Sequence, residues 1–205
     1  MKLHTLYLSL LLAATTSAHA MEFSDAELAR ASALQKRLVT LDSHLDTPAN
    51  LERGDFDVMQ GHAGNRLSQV DYPRMLEGAL DGGFWAVYTG QGNRSAAAHL
   101  DDRDAGLQRL MKIHNLLAAQ PQRFALATTP ADAARIKAAG KRVVYISMEN
   151  ASPLVADPSL LRFYYAQGLR LMSTVHFLNN EFADSATDPK AVSYTHLRAH
   201  ETRGN

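Results

Sequence analysis

The 205-residue sequence contains no cysteine. This absence excludes disulfide bonds, zinc sites built on thiolates, a cysteine nucleophile and a lipid anchor attached to cysteine. A metal ion bound to this protein must therefore be held by histidine and carboxylate side chains. The sequence contains nine histidines and 21 aspartates and glutamates.

An excess of charge of one sign is also missing, because 21 lysines and arginines balance the 21 acidic residues. A neutral chain without a long run of like charges has no electrostatic footprint for nucleic acid or anionic lipid. We therefore expect no nucleic-acid partner. Glycine (12) and proline (7) are few while 46% of the residues are hydrophobic, which predicts a globular protein with a packed core.

The first 20 residues have the features of a secretory signal peptide. Lys2 precedes an apolar run at residues 6–14, and the small residues Ala18 and Ala20 follow it. The run is well short of the roughly 20 residues of a membrane-spanning helix, which argues against an uncleaved anchor. We expect export to a bacterial periplasm and a mature chain that starts near Met21, without a transmembrane segment.

The other end of the chain has no apolar periodicity that would continue a folded domain. Residues 192–202 resemble a peptide that arises when sequencing-adapter DNA is translated. We therefore predict that residues 192–205 are a non-native tail and that the domain spans residues 21–191. His196 and His200 could bind zinc from one helix face, but no apolar face would hold such a helix in place.

Short β-rich runs alternate with longer helical patterns between these ends, which is typical of a parallel α/β sheet. The predicted strands cover residues 38–45, 84–89, 124–127, 143–148 and 171–177. The predicted helices cover residues 24–37, 101–119, 131–139 and 158–168. Ser24 and Glu27 have the spacing of a capping box. About 171 residues remain without the two ends, fewer than the roughly 250 of a closed eight-stranded barrel, so length alone leaves a smaller open sheet as an alternative.

The residues around His44 form the strongest candidate site. Asp42, His44 and Asp46 alternate with apolar or small residues, so on a strand their side chains would share one face. Imidazole nitrogen and carboxylate oxygen are suitable metal ligands, and Pro48 would end the strand just past them. The pattern is short, and the alternative interpretation is that these are polar surface residues without a metal.

Two further predicted strands end in side chains that could take part in catalysis. Glu149 directly follows the strand at 143–148, and His176 lies near the end of the strand at 171–177. Barrel enzymes carry their catalytic groups at this end of the strands. Together with His44 and Asp46, these side chains would supply part of a zinc site that activates water, although not a complete two-metal site. A solvated or helix-capping carboxylate is the alternative for Glu149.

Other residues carry no assigned function. His62, His99 and His114 stand in polar or helical contexts that favour a solvated or locally bonded imidazole. Gly82 and Gly83 precede a strand, whereas phosphate-binding glycines lie between a strand and a helix. We therefore predict no further ligand and no phosphate site from these residues.

Four segments of the chain occur in an order that is found in one protein family. They are residues 42–46 (DSHLD), 69–78 with 83–88, 146–150 (ISMEN), and 168–176 with Asn179 and 183–185. In this order they resemble the first metal motif, the second block, the bridging-glutamate segment and the central histidine block of the membrane dipeptidase (renal dipeptidase) family of zinc peptidases. The resemblance covers about residues 36–188.

Members of that family fold as (β/α)8 TIM barrels, carry two zinc ions and hydrolyse dipeptides. The resemblance implies that His44 and Asp46 bind one Zn²⁺ ion and that Glu149 bridges both ions. His176 matches the substrate-side histidine, which would hold the developing oxyanion, so His176 and Glu149 are the implied catalytic residues. Asn150 stands where many members have glycine, which leaves the role of Glu149 intact but alters the local loop.

The resemblance covers only the first half of the family's barrel. Two further zinc-ligating histidines and other substrate-side residues of the family lie on later strands, beyond residue 205 of this sequence. We expect the chain as written to form roughly half a barrel, with open sheet edges that promote aggregation, and to be inactive. We expect the intact gene product to be an exported zinc dipeptidase.

Two other functions stay open at this point. A metal-dependent barrel enzyme of the same type could act on another amide or on a lactone. An exported binding domain without enzymatic activity would carry the same polar residues without a metal. Substrate screening separates the first alternative from a dipeptidase, and metal content separates the second. The sequence decides neither which dipeptides are cleaved nor whether a full-length protein forms a homodimer.

Overall fold

The fold is that of a computed structural model, which describes residues 23–64 and 68–188. The predicted signal peptide at residues 1–20 and the predicted non-native tail at residues 192–205 lie outside the described residues. Within the described ranges, no helix combines the length and the hydropathy that crossing a bilayer requires.

Helices and strands alternate along the described chain, as the sequence predicts. The α-helices are α1 (Asp25–Arg37), α2 (Thr47–Asn50), α3 (Tyr72–Glu77), α4 (Ala96–Ala119), α5 (Pro130–Ala138) and α6 (Leu160–Ala166). The strands are β1 (Leu41–Leu45), β2 (Gly82–Tyr88), β3 (Phe124–Leu126), β4 (Arg142–Glu149) and β5 (Leu169–Met172), and a 3₁₀ turn covers Ser152–Leu154.

The five strands form one sheet in which every recorded pairing is parallel. Strand β2 lies between β1 and β4 and pairs with β4 along its whole length. The opposite edge of β4 is shared, since β3 pairs with Arg142–Val144 and β5 with Ile146–Met148. Parallel pairing brings the carboxyl ends of β1, β2, β4 and β5 to the same end of the sheet.

Each face of the sheet packs against a different helix, because successive strand residues point to opposite faces. On one face, Trp85 of β2 and Ile146 of β4 belong to a core that also contains Leu110 and Ile113 of α4. The other face carries a smaller core, which comprises Ala127, Ala133, Ile136, Val143 and Tyr145. Helix α5 therefore covers the face opposite to α4.

Two glycines allow β2 to fit closely between its neighbours. A Cβ atom on Gly82 would lie 2.0 Å from the backbone oxygen of Val143, and one on Gly83 would lie 2.5 Å from that of Asp42. Neither approach is compatible with a side chain. Gly82 and Gly83 therefore have a packing function, in keeping with the prediction that they do not form a phosphate loop.

The helix boundaries follow local capping chemistry. Ser24 and Glu27 form the predicted capping box at the start of α1. Helix α4 begins at Ala96 and not at residue 101, because the side chain of Ser95 caps it by accepting a hydrogen bond from the Ala98 amide.

A buried carboxylate joins the opposite, amino-terminal ends of the strands. Asp81 accepts a hydrogen bond from the Thr40 amide at 2.9 Å and lies 2.6 Å from Nζ of Lys137 on α5. Its backbone oxygen accepts a hydrogen bond from the Val143 amide at 2.7 Å. Asp81 thus connects the starts of β1 and β4 with the helix that covers them, which aligns the strands at this end.

Candidate metal centre

His44 and Asp46 lie at the carboxyl end of β1. Strand β1 ends at Leu45, and Asp46 is the N-cap residue of α2. The two side chains meet, with 3.0 Å between Nε2 of His44 and Oδ1 of Asp46. Both are accessible, since the side chain of His44 is 41% exposed and that of Asp46 is 64% exposed.

The predicted alternation of three polar residues along this strand is wrong in detail. The pairing of β1 with β2 shifts register between Asp42 and Leu45, and Asp46 lies beyond the strand. Oδ1 of Asp42 accepts a hydrogen bond from the backbone amide of His44 at 2.8 Å. A bulge changes which way side chains point, so a strict period of two no longer applies. His44 and Asp46 nevertheless meet at the point where β1 passes into α2.

Glu149 is the last residue of β4 and reaches across β2 to the end of β1. Its Oε2 lies 3.2 Å from Nε2 of His44, and its side chain is 20% exposed. The in-register pairing of Tyr88 with Glu149 sets this carboxylate at the carboxyl edge of the sheet. The predicted position of Glu149 at the end of a buried strand is correct.

His176 also approaches Glu149, although not from the end of a strand. Strand β5 ends at Met172, and His176 lies four residues later in a loop. The chain leaves the sheet there, since the last bonds to the β4 region are from Ser173 N to Met148 O and from Ala151 N to Thr174 O. Nε2 of His176 lies 3.6 Å from Oε1 of Glu149.

The loop that carries His176 is held by its own buried polar side chains. Asn180 Nδ2 donates to the Thr174 oxygen at 2.6 Å, and Asn179 Oδ1 accepts from the Ser185 amide at 2.6 Å. Ser185 Oγ in turn donates to the backbone oxygen of His176 at 2.5 Å. All three of these polar residues are buried. The segment following His176, which the sequence comparison with the dipeptidase family singled out, therefore shapes the loop.

Asn150, the residue after Glu149, connects three strand ends. Its backbone has φ +53°, in the left-handed region that Asn tolerates better than most residues. Its Nδ2 donates to the Thr89 oxygen at 3.0 Å, and its Oδ1 accepts from the Ser152 amide at 2.9 Å. Its amide donates to Ser173 Oγ at 3.0 Å. Asn150 thus meets the backbone requirement that glycine would meet and adds side-chain hydrogen bonds.

A second connection, at the end of β2, was not predicted from the sequence. Arg109 of α4 forms two hydrogen bonds with Glu52, at 2.8 and 3.0 Å, and also donates to the backbone oxygen of Tyr88. Its guanidinium carbon lies 4.4 Å from the centre of the Tyr88 ring. This arrangement fixes the end of the strand that separates His44 from Glu149. Arg109 and Glu52 are 57 residues apart in the sequence, so no local sequence pattern indicates their contact.

A charged cluster lies where α4 meets the loop after β5. Glu181 accepts a hydrogen bond from Nε of Arg94 at 2.8 Å, and its other oxygen lies 3.3 Å from Nε2 of His99. The side chain of His99 is only 14% exposed and its Nε2 faces Glu181, so of the two states that the sequence favours, a solvated or a locally bonded imidazole, the structure agrees with the second. Burial raises the pKa of the nearby Asp102 carboxyl, partly offset by His99.

The donors at the strand ends fit a divalent cation by their chemistry. No group of three or more His, Asp or Glu side chains in the part of the chain that the structure describes is already arranged to hold a metal ion. The separations of 3.0 and 3.2 Å around His44 Nε2 are nevertheless close to the roughly 3.3 Å between ligand atoms of a tetrahedral zinc site. His44, Asp46 and Glu149 are therefore the candidate ligands at this end of the sheet.

A parallel α/β sheet with histidine and carboxylate groups at the carboxyl ends of its strands is typical of metal-dependent barrel hydrolases. The sequence model of the membrane dipeptidase family (peptidase family M19) matches residues 28–204 of this chain. The chain belongs to that family, as the resemblance of its four motifs indicates.

Individual relatives agree with this membership. Dipeptidase ataJ from Aspergillus terreus is 30% identical over 173 residues, which are 78% of this chain and 41% of that protein. Human dipeptidase 3 is 25% identical over 173 residues, which are 82% of this chain and 33% of that protein. The chain thus spans less than half the length of these curated relatives.

Solved structures of dipeptidases share the fold. The probable dipeptidase PvdM from Pseudomonas aeruginosa superposes with a TM-score of 0.66 at 23% identity, over 81% of this chain and 42% of that one. A metallopeptidase from Rhodobacter sphaeroides, solved with a phosphinate mimic of the dipeptide L-Ala-D-Ala, gives 0.60 at 23% identity, over 71% and 47%. The predicted fold class, a parallel α/β sheet of the TIM-barrel type, is confirmed.

We predict that substitutions of Asn150 separate its backbone role from its side-chain role. Asn150→Gly keeps the left-handed backbone accessible and loses only the side-chain bonds, whereas Asn150→Ala loses both. Asn150→Ala should therefore lower the free energy of unfolding by about 1 kcal/mol more than Asn150→Gly, as measured by urea denaturation. Asn115→Ala, at an exposed helical position, is the control and should change stability by less than about 0.5 kcal/mol. An alanine variant as stable as the glycine variant would contradict this.

Proposed function

We propose that the protein is a zinc-dependent dipeptidase whose first metal ligands are His44, Asp46 and Glu149. The observation that supports this proposal most directly is the meeting of His44 Nε2 with both carboxylates, at 3.0 and 3.2 Å, from two strands that are not adjacent. An ion pair that only stabilises the fold would not need His44 and Asp46 to be accessible to solvent, as they are here. Membership of the dipeptidase family and the dipeptide mimic bound to the Rhodobacter sphaeroides relative support dipeptides as substrates.

Zinc, when bound, would supply a Lewis acid for the peptide carbonyl and lower the pKa of a water molecule that becomes the nucleophile. The residues of this chain would bind the metal and stabilise the charge that develops on the substrate. His44 and Asp46 would hold one ion, and Glu149 would bridge two, as the family resemblance implies. His176 lies 3.6 Å from Glu149 and is 40% exposed, so its imidazole can donate a hydrogen bond to the carbonyl oxygen as negative charge develops there.

We predict that the purified chain binds zinc through these strand-end residues. Isothermal titration with Zn²⁺ should show saturable binding, and both His44→Ala and Glu149→Gln should weaken it about tenfold or more, because each removes a ligand. The matched controls are His114→Ala and Glu77→Gln, which lie away from the site and should leave the affinity within about twofold. Affinity that falls only when His196 and His200 are replaced would contradict the proposed site.

We predict dipeptide hydrolysis for the complete reading frame and none for the 205-residue chain alone. The family resemblance places two further ligating histidines on later strands, so the chain alone would lack part of the site. The test is to recover the coding sequence downstream of Lys190, express the product and assay release of amino acids from dipeptides. Hydrolysis only of non-peptide amides or lactones by that product would contradict the dipeptidase proposal. Zinc-dependent hydrolysis by the 205-residue chain, abolished by His44→Ala, would contradict the inactivity of the chain.

Export is a further part of the proposal. It rests on the basic start, the short apolar run and the small residues Ala18 and Ala20 of the sequence. We predict that protein recovered from the periplasm of an expressing bacterium begins near Met21, as measured by intact-mass spectrometry. Protein that stays in the cytoplasm with residues 1–20 attached would contradict export.

A further inference from the structure

The position of His176 is not fixed by burial of its neighbours. The His176 side chain is 40% exposed, and Phe177 is 64% exposed. The two rings contact each other, with 3.7 Å between their centres, but Phe177 belongs to neither apolar core. Polar contacts of the loop must therefore hold the imidazole in place.

Gln91, in the loop after β2, makes three hydrogen bonds with the two residues that follow His176. Its Oε1 accepts from the Phe177 amide at 2.8 Å and from the Leu178 amide at 3.2 Å. Its Nε2 donates to the Leu178 oxygen at 2.9 Å. A glutamine side chain can form these three bonds because its amide group carries both a donor and an acceptor, as the backbone of a paired strand does.

The peptide unit between His176 and Phe177 is held from both sides. Its carbonyl oxygen accepts from Ser185 Oγ at 2.5 Å, and its N–H donates to Gln91 Oε1 at 2.8 Å. Fixing this peptide plane restricts the ψ angle of His176 and so the direction in which its side chain leaves the backbone. Ser185 belongs to the same loop, whereas Gln91 comes from another strand end. Gln91 therefore connects the backbone next to His176 to the loop at the end of β2.

We propose that Gln91 is a positioning residue that sets where the His176 imidazole stands beside Glu149. The inference rests on the proposed function, in which His176 faces the substrate carbonyl. Without the bonds from Gln91, the peptide unit would keep only its contact with Ser185, and the imidazole would lose its fixed separation from Glu149. Gln91 acts through the backbone and would not touch the substrate.

The test compares Gln91→Met, which removes all three bonds, with Gln91→Glu, which keeps the acceptor and loses the donor. The matched controls are Gln122→Met and Gln122→Glu, at an exposed glutamine before β3 at the other end of the sheet. NMR of the 205-residue chain gives two measurements: amide exchange of Phe177 and Leu178, and the imidazole Cε1–Hε1 resonance of His176, assigned by its loss in His176→Ala.

In Gln91→Met we expect amide exchange at Phe177 and Leu178 to become about tenfold faster or more, and the His176 resonance to shift by more than its linewidth. Gln91→Glu should give smaller changes of the same kind, and the Gln122 variants none. A faster exchange with an unmoved His176 resonance would show a merely structural role and overturn the proposal. Unchanged exchange in both Gln91 variants would overturn it as well. Neither measurement requires turnover, so a failure of the dipeptidase proposal would be seen separately, in the hydrolysis assay.

Discussion

The parallel pairing of β2 with β4 is the constraint on which the rest of the structure depends. It runs in register from Gly82 beside Val143 to Tyr88 beside Glu149, so the carboxyl end of β4 is fixed relative to its neighbours. Glycines at the start of β2 allow the flanking backbones to approach closely. With β1 on the other side of β2, the end of β1 lies within reach of Glu149. The candidate metal centre is a direct result of this register.

Polar contacts beyond the strands complete the site. Asn150 links the loops that follow β2, β4 and β5, Arg109 anchors the end of β2 to α4, and Gln91 holds the loop of His176. The contacts of Asn150 and Arg109 satisfy backbone groups just where strands end, and those of Gln91 satisfy backbone groups of the loop after β5; such groups are costly to leave without partners when buried. His44 and His176 are 41% and 40% exposed and Glu149 is 20% exposed, whereas Asn150 and Arg109, which position the strand ends, are more enclosed. This division is expected for a site that must be accessible yet preorganised.

The sequence predicted most of the elements and the strand end at which Glu149 lies. The apolar run of β4 was long enough to place Glu149 at its end, and the capping box of Ser24 and Glu27 located the start of α1. The position of Asp46 beyond its strand was missed because the alternation continues past Leu45, where β1 ends and Asp46 begins the turn into α2. The end of β5 was missed because an apolar run gives no signal of where pairing with β4 stops. The contacts of Gln91 join residues 86 or more positions apart, which a single sequence does not reveal.

We propose that strand ends of one sheet bring His44, Asp46 and Glu149 together as ligands of one metal centre. Anomalous diffraction at the zinc edge from crystals of the zinc-loaded protein tests it most directly, because it locates the ion without assuming its ligands. We predict an anomalous peak about 2.0–2.2 Å from Nε2 of His44 and from a carboxylate oxygen of Asp46 or Glu149. A peak at His196 and His200, with none at the strand ends, would contradict it.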